Sequence, residues 1–117
     1  MSWDNYSIVK IEQLPEHVKA HVIENNQFDI ARTGFREARK LGFRRIGLCV
    51  AEHDELLTRN LYSAGFYVEQ AQIPEEDRVP FLCFNADRPY PVIHAEIRNW
   101  IIQNNLDLCM SNWWFRK

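Results

Sequence analysis

Segments with helical periodicity alternate with short, continuously apolar segments, and this alternation constrains the fold more than any other feature of the chain. Apolar residues at spacings of three and four indicate a helix with one buried face. The first such face comprises Phe28, Ala31, Phe35, Ala38 and Leu41. The second comprises Leu57, Leu61, Ala64, Val68 and Ala71, and the third Ile93, Ile97, Trp100 and Ile101.

Capping residues and prolines set the expected limits of these helices. Asn26 can cap the first helix, and Gly42 can end it in a left-handed conformation. Asp54 is a good N-cap for the second helix, which Pro74 stops, and Pro91 suits the first turn of the third. Gly65 inside the second helix costs about 1 kcal/mol relative to Ala, so we expect close packing at this position.

Apolar strands are predicted at residues 45–50, 79–85 and 106–111, the second with Pro80 at its start or on an edge. Strands without polar alternation, joined by amphipathic helices, imply a parallel sheet with helices on both faces. The predicted fold class is therefore α/β. The carboxyl ends of such strands carry the ligand site. His53, Asn85 and Asn112 lie at these ends.

Residues 1–25 read as an irregular lead-in with short strands near Ile8 and Val22, and residues 26–117 carry the regular alternation. The aromatic run Trp113-Trp114-Phe115 follows the last strand, without a helix to bury it. A free-standing domain would expose this patch. We therefore expect an incomplete domain, completed by further sequence or by a partner.

Composition excludes several classes of protein. The chain of 117 residues is 46% hydrophobic and 26% charged, which is typical of globular domains, and its net charge of -2 argues against wholesale binding of a phosphate backbone. No apolar run spans a membrane, and the N-terminus does not resemble a signal peptide. A cytoplasmic location is the expectation.

Two groups of residues have a structural explanation that we prefer to a functional one. The densest basic cluster is predicted to be the solvated side of the first helix rather than a nucleic-acid interface; it comprises Arg32, Arg36, Arg39, Lys40, Arg44 and Arg45. The widely spaced Cys49, Cys83 and Cys109 are predicted to be buried, reduced thiols rather than zinc ligands.

Motifs for cofactor binding and catalysis are missing. Neither glycine-rich phosphate-binding pattern occurs, and the nucleophile elbow G-x-S-x-G is absent. Glu52 and His53 form the only acid/base pair at a strand end, without a nucleophile or an orienting group. We expect neither enzymatic activity nor a cofactor nor a metal.

The run from Ala38 to Leu48, ARKLGFRRIGL, resembles the signature hL-x-x-LG-(H/Y)-RRI-(A/G)-L of LacI-type transcription regulators. Ser63–Phe66 (SAGF) is similar to the family's R-x-x-GF helix, and Leu106–Asn112 (LDLCMSN) to its D-A-h-h-x-x-N-D strand. The resemblance covers residues 26–112 well and the first 25 loosely. It implies a periplasmic-binding-protein-like fold, of which residues 26–117 would form part of the effector-binding subdomain.

Site residues carry over from this resemblance by position. Asn112 matches the family's cleft Asn, and Asp29 falls near an acidic cleft position. Tyr62 replaces the Arg that grips the effector, and Trp113 replaces the Asp after the cleft Asn. Because this bidentate Arg and this carboxylate are missing, the sequence leaves two classes of effector open: a sugar, or a flatter and more apolar metabolite.

The resemblance also implies partners. It predicts a homodimer that binds operator DNA through an N-terminal helix-turn-helix, which is not discernible here, so this segment would not bind DNA itself. The alternative interpretation is a free-standing α/β module that binds a small molecule or acts as a receiver-like domain.

Overall fold

A parallel sheet forms the centre of the computed structural model, which describes residues 7–10 and 27–112. Its strands are β1 (Ser7–Lys10), β2 (Ile46–Ala51), β3 (Leu82–Phe84) and β4 (Leu108–Ser111), in the order β1-β4-β2-β3. All three neighbouring pairs are parallel. The strand expected near Ile8 is therefore confirmed, and it lies beside β4 at one edge of the sheet.

Four helices accompany these strands in the described part of the chain. They are α1 (Gln27–Lys40), α2 (Glu52–Leu57), α3 (Leu61–Gln70) and α4 (Tyr90–Gln103), with one 3-10 turn at Glu75–Asp77. The order of helices and strands confirms the predicted α/β class. The segments around residues 21–23 and 113–117 lie outside the described residues.

The sheet separates two hydrophobic clusters. Because alternate residues of a strand point to opposite faces, Leu48 of β2 packs with α1 and α3, while Cys49 packs with α4. The α1/α3 cluster includes the fully buried rings of Phe35 and Phe66, with centroids 5.8 Å apart. The predicted α4 face is confirmed, since Ile93, Ile97, Trp100 and Ile101 are all buried.

The first helix ends earlier than its apolar pattern predicts. The helix stops at Lys40 and Gly42 adopts a φ of 100°, as expected for a C-terminal glycine. Leu41 therefore lies beyond the helix and is 78% exposed, so its assignment to the buried face is wrong. Ile30 is buried in the first part of the helix, and Phe28 is half-buried with the Arg32 guanidinium above its ring.

The second predicted helix is two helices, and its predicted buried face is wrong. Arg59 and Asn60 adopt left-handed conformations, with φ of 55° and 64°, and break the helix between α2 and α3. Asp54 is consequently an internal residue of α2 rather than an N-cap, and Leu57 is 69% exposed. The buried residues of α3 are Tyr62, Gly65, Phe66, Glu69 and Gln70.

The second and third predicted strands are shorter than expected. Pro80 has no N–H to donate, and the ladder of β3 begins only at Leu82, on the edge of the sheet. Before the strand, the side-chain oxygen of Gln70 accepts the Val79 N–H at 3.2 Å. Asp107 precedes β4 and accepts the backbone N–H groups of Arg44 and Arg45, both at 3.0 Å.

The basic cluster is less solvated than predicted, because its arginines pair with buried carboxylates. Arg32 and Arg36 each place Nε near Oε2 of Glu69, at 2.7 and 3.1 Å. Arg39 and Arg44 place Nη1 and Nη2 at 3.3 and 3.5 Å from Oδ2 of Asp77. These pairs join α1 and the loop after it to α3 and to the 3-10 turn.

Gly65 lies where α3 packs closely against α1. A Cβ atom built on Gly65 would clash with the backbone carbonyl oxygen of Phe28, and would lie 3.2 Å from the Ala31 Cβ. The close packing expected at this glycine is confirmed. The missing side chain allows the two helix backbones to approach, which brings Phe66 against Phe35.

Replacing Gly65 with Ala is expected to lower the free energy of unfolding by about 2 kcal/mol, since a backbone carbonyl cannot move aside for the methyl group. At an exposed helical position, the same change would raise stability by about 1 kcal/mol. Chemical denaturation monitored by circular dichroism checks the sign. A more stable G65A variant would contradict the described helix contact.

Glu69 should make the fold sensitive to acid. Burial opposes its ionisation, but hydrogen bonds and charges from Arg32 and Arg36 outweigh burial, so the pKa of Glu69 lies below its usual 4.5. The carboxylate therefore contributes fully to stability above pH 4.5, and this contribution is lost as pH falls through the lowered pKa.

Glu69→Gln should reduce stability at pH 7 by about 2 kcal/mol and flatten the loss of stability in acid. Glu37→Gln is the matched control, because the exposed Glu37–Lys40 pair is worth about 0.3 kcal/mol. Urea denaturation at pH 7 and pH 3.5 measures both variants. Equal losses in the two variants would contradict the role of the buried carboxylate.

Candidate functional site

The carboxyl ends of β2 and β4 bring Asp54 and Asn112 together. Parallel strands end at the same edge of a sheet, and β2 leads directly into α2. Asn112 follows β4, and its Nδ2 donates to Oδ2 of Asp54 at 2.8 Å. The hydrogen bond joins residues 58 positions apart in the chain.

Tyr62 completes this arrangement from α3. Its side chain is only 6% exposed. Burial raises the pKa of the Tyr62 hydroxyl, the nearby Asp54 and Glu55 raise it further, and the interaction with the Asn112 amide partly opposes them. The phenol is therefore neutral at physiological pH and can donate a hydrogen bond.

The turn between α2 and α3 positions these groups. Thr58 Oγ1 donates to the carbonyl oxygen of Asp54 at 2.9 Å, and the Asn60 N–H donates to that of Glu55 at 2.8 Å. The left-handed residues after Thr58 then redirect the chain into α3. Glu55 Oε1 accepts the Ser63 N–H in the first turn of α3, at 3.3 Å. The short helix and its turn thus hold two acidic side chains around Tyr62.

One polar atom of this site has no hydrogen-bond partner among the described residues. It is Oδ1 of Asn112, which is fully buried. A buried carbonyl without a donor costs about 1–3 kcal/mol. Together with the residues that surround this atom, we define the candidate site as Asp54, Glu55, Tyr62 and Asn112.

Four other residues were predicted to bind the effector. His53 in α2 and Asn85 after β3 both lie at the carboxyl edge with exposed side chains, and Asn85 Oδ1 accepts the Asp87 N–H at 2.9 Å. Asp29 is exposed in the first turn of α1, where the helix dipole favours a carboxylate. Trp113 lies outside the described residues.

Asp54 and Glu55 are the members of the site that the sequence prediction missed. Both follow β2 directly in the acidic run Glu52-His53-Asp54-Glu55, and this run at a strand end was the available signal. The sequence pattern predicts a helix cap at Asp54, because Asp commonly occupies that position. The early start of α2 turns it into a site residue.

The cysteines do not all share the predicted burial. Cys49 and Cys109 are fully buried on neighbouring strands, with their sulfur atoms 3.6 Å apart. A hydrogen bond to Cys49 and burial raise the pKa of Cys109 well above its usual value, so this thiol stays protonated. Cys83 is exposed on the edge strand β3, so the prediction that it is buried is wrong.

Metal and membrane sites were also sought among the described residues. Within residues 7–10 and 27–112, no group of three or more His, Cys, Asp and Glu side chains could hold a metal ion. None of the helices in this part of the chain has the length and apolar character needed to cross a membrane.

Comparisons with models of protein families, with curated proteins and with solved structures give no match to this chain.

The titration of Tyr62 tests the geometry of the site. Because the folded-state pKa exceeds 10.0, ionisation of Tyr62 should be delayed, and stability should fall as pH rises above 10.0. Absorbance at 295 nm should resolve one late-titrating tyrosine in the folded protein. Tyr62→Phe should remove that step, and its persistence in the variant would contradict the assignment.

Proposed function

We propose that this chain is the ligand-sensing and dimerisation segment of a LacI-type transcription regulator. The observation that carries the proposal is that Asn112, which follows β4, interacts with the buried Tyr62 hydroxyl at the carboxyl edge of a parallel sheet. These are two of the positions that the resemblance assigns to effector contacts. The site is built from loops and helix starts beyond the strand ends, which is where open α/β sheets bind small molecules.

The proposed effector is a sugar or another small metabolite. Asn112 Oδ1 offers a buried acceptor, Tyr62 a neutral hydroxyl, and Asp54 a carboxyl group that is already oriented by the Asn112 amide. Hydroxyl groups of a ligand can both donate to these oxygens and accept from the phenol. The chain would bind its effector in the cytoplasm as a homodimer and catalyse no reaction.

Regulation would follow from a difference in affinity. An effector that binds two arrangements of the subdomains unequally shifts the balance between them, and DNA-binding heads outside this chain respond. The basic residues of α1 and of the loop after it are not set aside for DNA, because four of their arginines pair with Glu69 and Asp77. We accordingly propose that DNA is bound elsewhere in the regulator.

The second candidate function is a free-standing α/β module that binds a small molecule. One observation favours it: β1 adds a fourth parallel strand beside β4, so the sheet extends beyond the segment that the resemblance covers well. Both candidates use the same site. They differ in whether ligand binding changes an affinity for DNA.

Asn112→Ala should abolish the effector response of the full-length regulator without weakening its binding to DNA. The variant removes the buried acceptor and the contact with Asp54. The measurement is fluorescence anisotropy of a labelled DNA fragment from the regulator's own promoter, titrated with and without a panel of monosaccharides. We expect at least a fivefold change in affinity with one sugar for the wild type, and none for N112A.

Asn99→Ala is the matched control, since Asn99 is exposed on α4. It should respond like the wild type. Failure of the wild-type protein to bind DNA would overturn the regulator in favour of the free-standing module. DNA binding that no effector changes would overturn ligand sensing.

A further inference from the structure

The short helix α2 presents two adjacent leucines to the outside at the carboxyl edge of the sheet. Leu56 and Leu57 are 65% and 69% exposed, whereas Glu55 beside them is buried. A single exposed leucine is common on protein surfaces, but adjacent ones form an apolar patch that favours an apolar partner. The outer face of α2 is therefore an apolar surface close to the end of β2.

The hydrogen bond between Asn112 and Asp54 fixes where the chain continues after β4. Asn112 Nδ2 lies 2.8 Å from Asp54 Oδ2, and Leu57 comes three positions after Asp54 in the same helix. Residues three apart are neighbours on a helix surface, with Cβ atoms about 5–6 Å apart. The backbone that follows Asn112 therefore starts within about one helical turn of Leu57.

The residues after Asn112 have the composition that fits this surface. Residues 113–117 read WWFRK, and an extended chain covers up to about 3.5 Å per residue, so the three aromatic side chains can reach both leucines. The two cations that come next complement the first turn of α2, which holds Glu52, Asp54 and Glu55. Both the apolar and the charged parts of α2 thus have a counterpart in the segment that follows β4.

We propose that residues 113–115 pack against Leu56 and Leu57 of α2, with the two cations after them beside the acidic first turn of that helix. The contact would bury an aromatic run that a free-standing domain would otherwise expose. It would also place aromatic rings beside Asn112, along one side of the candidate site. Since the contact needs neither an effector nor DNA, it is independent of the proposed function.

Fluorine NMR of the protein labelled with 5-fluorotryptophan tests this contact. The chain has four tryptophans, and single changes of Trp to Phe assign their resonances. The relaxation caused by a soluble gadolinium chelate measures the exposure of each ring. Trp100, which is 7% exposed, is the buried standard, and free 5-fluorotryptophan is the exposed one. We expect Trp113 or Trp114 to relax more like Trp100 than like the free amino acid.

Leu57→Ser should expose that ring, because the change removes apolar surface from the contact. The ratio of packed to unpacked segment should fall about tenfold, as expected when a leucine loses most of its burial. Leu41→Ser is the matched control, since Leu41 is 78% exposed and lies between α1 and β2, at the amino edge of the sheet. It should leave the protection of both rings unchanged.

Rings as exposed as the free amino acid, or protection that L57S and L41S change equally, would overturn the contact. Protection that is lost on dilution would overturn it in favour of a second copy of the chain as the occupant. If L57S also exposes Trp100, the variant is unfolded, and nuclear Overhauser effects in the wild type decide. Effects between either indole and the methyl groups of the α2 leucines would support the contact, and effects to other residues alone would overturn it.

Discussion

The parallel pairing of β2 with β4 holds the two sides of this fold together. All six residues of β2 and all four of β4 are buried, so this pair forms the wall between the two hydrophobic clusters. The pairing also aligns the carboxyl ends of two strands that are 60 residues apart at Cys49 and Cys109. Without that alignment, Asn112 would not reach Asp54.

The buried carboxyl groups around this sheet differ in their hydrogen-bond and ion-pair partners. The arginines of α1 and its loop neutralise the buried Glu69 and Asp77, which ties α3 and the 3-10 turn to α1. At the carboxyl edge, Asp54 accepts a hydrogen bond from the Asn112 amide and Glu55 accepts one from the Ser63 N–H. The acids that join α1 to its neighbours are thus paired with arginines, whereas these two accept from neutral N–H groups.

The candidate site could be predicted only in part. Because the strands were expected to be parallel, Asn112 and His53 were expected at the same edge of the sheet, and the structure places both there. Only the resemblance to LacI-type regulators assigns Tyr62 to the site. Its burial near Asp54 and Asn112 follows from the turn at Arg59 and Asn60. A left-handed turn at non-glycine residues leaves little trace in a hydrophobic pattern. The site role of Asp54 and Glu55 therefore could not be read from periodicity.

Apolar spacing was enough to predict the α/β class, the position of most strands and the buried face of α4, because this spacing decides which side of a regular helix avoids water. The buried face of α3, in contrast, follows from contacts with distant residues. Glu69 lies on that face, and a carboxylate can be buried there because Arg32 and Arg36 approach from another helix, 37 and 33 residues away. Gly65 allows that approach, because any side chain at this position would clash with the backbone carbonyl of Phe28, which is distant in sequence. Such long-range pairings carry no local signal, since each residue gains its role from a neighbour that the chain supplies elsewhere.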